Sequence, residues 1–226
     1  MPARGYIFYL KVSERLTRVR GLVGIRPIHS DMKHFPKEFD ALVPGAACRR
    51  VAISRATRQE MAQIYPRIAA SFMQHIASLD TCQNIRRRHQ DNIWSITDRR
   101  DGALIGLYAM AMLTPEGHRA LLSGEFDAPD PRLSHVAATG DQVAAIYKWG
   151  VFAPGIAVAA IPLVAERMNT PDYRDLDLYG NGSTEAGRRI MRSVGFRKVD
   201  DPRTPLLFKY ERLGKRGLPG VTQYSS

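Results

Sequence analysis

Apolar positions along this chain recur with two periods, two residues and about 3.6. "RRVAIS", Arg49 to Ser54, reads as a first strand. "TRQE", Thr57 to Glu60, has the spacing of a capping box, in which a Thr oxygen accepts from one orphan N–H and a Glu three residues on reaches back. Met61, Ile64, Tyr65, Ile68, Phe72 and Ile76 then follow at helical spacing, a core stripe. Pro66 interrupts it, so two short helices or one kinked helix are expected.

"IRRRHQ", Ile85 to Gln90, reads as a solvated loop or helix end. "NIWSITD", Asn92 to Asp98, is the next strand, and "RRDG" is its turn, since Asp-Gly is a hairpin signal. "ALIGLYAMAML", Ala103 to Leu113, is long and apolar and should be central. Residues 114–140 are turn-rich around a small apolar centre, Ala120 to Leu122. A connection of that length is a candidate for shaping a substrate site. "QVAAIYKW", Gln142 to Trp149, is a strand, followed by "FAPGIA" and an apolar helix that Pro162 should kink. "DLDLY", Asp175 to Tyr179, is a strand; "STEAGRRIMRSVGF", Ser183 to Phe196, is a short capped helix; "FRKVD" and "LLFKYERL" close as a strand pair. Residues 1–46, with Pro27, Pro36 and Pro44, read as an irregular or partly stranded extension.

The 226 residues are 44% hydrophobic and 24% charged, the balance of a soluble globular chain with one large core. No apolar run is long enough to span a bilayer, and the first residues lack a cleavage signal. Cys48 and Cys82 are too few for a disulfide framework or a zinc cluster, so no metal and a cytoplasmic location are expected. The net charge of +11 is unevenly spread. Residues 1–58 hold 12 Lys/Arg against 4 Asp/Glu, residues 187–226 hold 10 against 3, and the middle is mildly acidic. Basic ends suit nucleic acid, a membrane surface or a phosphate-rich cofactor. Three parts are expected: a basic extension over 1–48, a domain over 49–212 and a tail over 213–226.

Two segments carry a resemblance. In Phe152–Ala157, Gly155 and Ala157 fall on the two small positions of a Gln/Arg-x-x-Gly-x-Gly/Ala pattern between a strand and its helix, and Phe152 departs from the leading position. In Ala186–Val199, Val194-Gly195-Phe196 stands where that family has Leu-Gly-Phe. In this order and spacing they resemble the GCN5-related N-acetyltransferase (GNAT) superfamily over roughly residues 49–212. The resemblance implies an α/β (α+β) fold with a mixed central sheet of about six to seven strands, flanking helices, and splayed fourth and fifth strands. It implies acetyl-CoA or another acyl-CoA as cofactor, with its pyrophosphate on the N–H groups of Ala153, Gly155, Ile156 and Ala157. Small residues allow that approach, and Pro154 has no N–H to give. Phe152 would place an aromatic ring near the phosphates. Arg188 and Arg192, four apart on one helix face beside Arg189, would meet the adenosine 3′-phosphate.

Amine attack on a thioester needs a neutral amine, a route for its proton and an N–H that polarises the carbonyl. Val151 is the implied donor to the carbonyl. The family's thiolate-protonating Tyr falls on Met191, which cannot act, so Tyr179 is the candidate substitute; the family's frequent Asn falls on Thr184. His135 is the first candidate base because imidazole titrates near neutrality, with Asp141 and Glu166 nearby in sequence. Tyr147 and Trp149 would line the acceptor or pantetheine cleft.

The function these readings imply is acyl transfer from acyl-CoA to the amine of a small molecule or peptide, within a chain that, like many of this fold, forms a homodimer. An acyl-carrier protein is an alternative donor that suits the basic ends. A different reading is an inactive protein of this shape that binds nucleic acid through its basic N-terminal segment. Another is an unrelated α/β protein holding some other phosphate at Gly155.

Overall fold

The computed structural model describes residues 38–72 and 76–212. They form an α+β fold around one mixed sheet of seven strands, in the order β1-β2-β3-β4-β5-β7-β6. The strands are β1 (Val51–Arg55), β2 (Ile93–Asp98), β3 (Leu104–Leu113), β4 (Ala145–Phe152), β5 (Leu178–Asn181), β6 (Arg197–Lys198) and β7 (Leu207–Tyr210). Only β4 and β5 run parallel. β3 is the long apolar centre and is buried from Gly106 to Leu113.

The helices divide between the two faces. α1 (Arg58–Ser71), α2 (Leu79–Arg88) and α3 (Pro115–Ser123) send Met61, Ile64, Ile68, Ile85, Ala120 and Leu121 into one core layer. α4 (Ile161–Met168) sends Val164, Ala165 and Met168 into the other, and α5 (Glu185–Ser193) adds Met191. Local chemistry explains the starts. The Thr57 hydroxyl accepts from Glu60 N–H at 3.1 Å, and the Glu60 carboxylate accepts from Thr57 N–H at 2.7 Å. α1 is one helix with Pro66 inside it, not two. The "IRRRHQ" run is the end of α2, where Arg86 donates to the Ala56 carbonyl and Arg88 to the Val136 carbonyl.

Three expectations change. The turn-rich segment contains α3, capped by the Thr114 hydroxyl, with Pro115 in its first turn and Gly124 in the left-handed region at its end. β4 runs through Gly150, Val151 and Phe152, past the expected end at Trp149. Pro162 kinks nothing: a 3-10 turn, Gly155–Ala160, precedes α4, and Pro162 sits in the first turn of α4, where its missing N–H costs no helical bond.

The expected boundary at residue 48 falls inside the fold. Phe39 and Leu42 are 3% and 4% exposed, and Phe39 packs edge-on against Phe196 and Tyr210. Arg212, 1% exposed, pairs with Asp40 and donates to the carbonyls of Met168, Tyr173 and Leu176. Residues 1–37, most of the expected basic extension, and the tail over 213–226 lie outside the described residues. Among the described residues no helix is long and apolar enough to cross a membrane.

Candidate functional site

The middle of the sheet is where the fold becomes irregular. On one side of β4 the antiparallel ladder with β3 continues to Leu107–Phe152. Its register slips once: Met110 faces Lys148 and Ala109 faces Gly150, which leaves Trp149 as the extra residue of a β-bulge. On the other side the parallel ladder with β5 has three rungs, Ile146–Leu178, Tyr147–Tyr179 and Lys148–Gly180. β5 then ends at Asn181, while β4 continues to Phe152.

The bulge changes which side chains share a face. Tyr147, Trp149 and Phe152 all join the layer under α1, α2 and α3, while Ile146, Val151 and Ala153 join the layer under α4 and α5. Phe152 therefore points away from the Gly155 turn. Its ring meets Phe72 at 6.4 Å and lies under the Arg67 guanidinium at 5.8 Å. The aromatic ring expected near the phosphates is on the opposite side of the sheet.

Beyond β4 the chain turns sharply. Gly155 has φ +58, a conformation that L side chains rarely adopt, and a Cβ built on it has nothing within 4 Å. Ala157 N–H donates to the Pro154 carbonyl at 3.2 Å, so this expected phosphate donor is already occupied. Among the described residues, the N–H groups of Gly155 and Ile156 have no backbone acceptor. Ala153 and Ala157 are 6% and 0% exposed and pack beneath the turn. Val151 pairs with Tyr108 of β3.

The two arginines of α5 are engaged within the chain. Arg188 is bonded to the Glu185 carboxylate at 2.8 Å and to the Gly182 carbonyl at 2.8 Å. The Arg192 guanidinium lies 5.7 Å over the Phe208 ring. Thr184 caps α5 by accepting from Gly187 N–H.

On the other face, His135 is 5% exposed, stacked on Phe126 at 6.0 Å, with Nε2 3.6 Å from Glu116 Oε1. Phe126 also meets Tyr147 edge-on at 5.4 Å, and Trp149 donates to the Ala128 carbonyl at 2.6 Å. Those aromatics bind the 124–135 segment to β4. Asp141 closes a turn by accepting from Ala138 N–H, and Glu166 is exposed. Tyr179, 3% exposed, meets a histidine that the sequence reading missed: His118 of α3, with Nε2 3.1 Å from Tyr179 Oη. Burial, with Asp177 and Glu211 adding to it, pushes the Tyr179 phenol up to about 12, so it stays neutral and can donate.

The sheet thus separates the expected site residues. Val151, Ala153, Gly155, Ile156, Ala157, Arg188 and Arg192 belong to the α4–α5 side; His135, Tyr147, Trp149 and Tyr179 belong to the α1–α3 side. Met191 lies on the α4–α5 side, so Tyr179 does not share its face. The polar side chain that does is Lys148. A Cβ built on Gly180 would stand 2.9 Å from Lys148 Cε and 3.5 Å from Met191 Sδ. Burial lowers the pKa of this lysine to about 8. Comparison of the chain with protein-family models, curated proteins and solved structures gives no match.

Proposed function

We propose that the protein is an acyl-CoA-dependent N-acyltransferase, a divergent relative of the GNAT superfamily. The observation that carries this reading is the behaviour of β4: it keeps its bond to β3, loses β5 after Lys148, and ends in the positive-φ turn at Gly155. In open α/β sheets, ligands sit in the crevice at the carboxyl ends of parallel strands, and β4 and β5 form such a pair here. An acyl-pantetheine arm would enter beside β4 past the last rung, with its pyrophosphate at the free N–H groups of Gly155 and Ile156. Gly155 has open space where a side chain would stand, so a phosphate meets no steric bar there.

The acceptor amine would approach from the α1–α3 side, where His118 and Tyr179 form a hydrogen-bonded pair able to pass a proton. The amine nitrogen attacks the thioester carbon, the C–N bond forms, the C–S bond breaks, and the sulfur leaves with its electron pair. Calorimetric titration with acetyl-CoA and CoA tests the reading, beside Gly155→Asp. Asp tolerates a left-handed backbone better than most residues and sets a negative charge at the phosphate site. Micromolar binding that the variant loses supports the proposal. Absence of binding, or binding that the variant retains, contradicts it.

A further inference from the structure

Lys148 occupies the last rung of the only parallel pair in the sheet, opposite Gly180. Its stem lies over Gly180, where a Cβ would stand 2.9 Å from Lys148 Cε. The side chain is half-buried, and no hydrogen bond, ion pair or counter-charge reaches its amine among the described residues. The other described lysines differ. Lys209 pairs with Asp177 at 3.1 Å, and Lys198 is exposed. Partial desolvation of this unpaired amine holds much of it neutral near pH 8. It also stands at the carboxyl end of a parallel pair joined by a helical crossover, the position at which open α/β sheets place their ligands.

We propose that Lys148 is itself an acyl acceptor, taking the acyl group of a thioester seated at the end of the β4–β5 pair to become an Nε-acyl-lysine. This rests on the acyltransferase reading for the identity of the thioester. The Nζ lone pair attacks the thioester carbonyl carbon; the C–N bond forms and the C–S bond breaks. The sulfur leaves with the bonding electrons and takes the proton that the nitrogen sheds. Nothing is oxidised or reduced, and the amide removes an unpaired charge. An amide does not turn over, so each chain is modified once.

The test incubates the full chain at pH 8 with acetyl-CoA, and separately with S-acetyl-N-acetylcysteamine, a thioester without the nucleotide. Peptide mass spectrometry then follows acetylation of Lys148 against Lys198 and Lys209, with Lys148→Arg as the control that keeps the charge. Lys148 should be acetylated at least about tenfold faster than Lys198, because desolvation leaves more of Lys148 as the neutral amine at that pH. Faster labelling by acetyl-CoA than by the small thioester supports both the acceptor and the CoA site. Labelling of Lys148 by the small thioester alone supports the acceptor and counts against CoA as donor. If acetyl-CoA binds by calorimetry while Lys148 reacts no faster than Lys198, the proposal is overturned and the acyltransferase reading stands. Failure of both reagents at Lys148 also overturns it.

Discussion

His118 Nε2 and Tyr179 Oη stand 3.1 Å apart, joining α3 to β5 across the face that Tyr147 and Trp149 fill from β4. The two residues are 61 positions apart in the chain. Tyr179 is a neutral phenol, with its pKa pushed up to about 12. If Nε2–H donates to the phenol oxygen, the phenol orients the ring and Nδ1 is left to take a proton from an incoming amine. His118→Gln and Tyr179→Phe should each lower kcat for acyl transfer about 10²-fold or more, within the range for general acid–base groups. The Kd for acetyl-CoA should be unchanged, because its seat is on the other face. Steady-state kinetics beside calorimetry separates the two; equal losses in both would place these residues in binding instead.

The stability of Lys148→Met should depend on pH in a defined direction. Lys148 in the folded chain titrates near 8, against 10.5 for an ordinary lysine. The unfolded state binds more protons between those values, so the penalty is full below pH 8 and fades as pH rises toward 10.5. A shift of that size corresponds to about 3 kcal/mol at full burial; partial exposure of the side chain reduces this to about 1–2 kcal/mol. Urea unfolding at pH 7 and pH 10 should show the variant more stable at the lower pH, by a margin that narrows at the higher. A margin that widens would contradict the assignment.

Asp40 and Arg212 should matter far more than surface ion pairs. Arg212 also donates to three carbonyls, so replacing it strands buried acceptors as well as a carboxylate. Arg212→Met should cost about 3–5 kcal/mol in denaturant unfolding. Arg203→Met, which breaks the exposed pair with Asp201, should leave the unfolding midpoint nearly unchanged. Equal effects would mean that the 38–42 segment does not anchor the fold.

Legibility followed sequence distance. The capping box at Thr57 and Glu60 and the Asp101-Gly102 turn are local, and both were readable from spacing alone. α3 was signalled by Thr114, Pro115 and Gly124, but Gly117 within it resembled turn chemistry. Its reason is tertiary: a Cβ at Gly117 would stand 2.0 Å from the His135 carbonyl oxygen. β4 was cut short because Gly150 and the bulge at Trp149 break its alternation. The phase change at the bulge also put Phe152 on the unexpected face. Lys148 is one polar residue in an otherwise apolar strand, and nothing local reveals that its stem lies over Gly180. His118 meets Tyr179 across 61 residues, and the sequence holds no sign of that pairing.

The most direct measurement is amide chemical-shift mapping of the full chain during titration with acetyl-CoA. If the donor lies along the end of β4 that β5 leaves, the largest changes fall on Gly155 and Ile156, with smaller ones at Val151 and Gly180. Changes confined to the α1–α3 side, or none at saturating ligand, would contradict an acyl-CoA site at this turn.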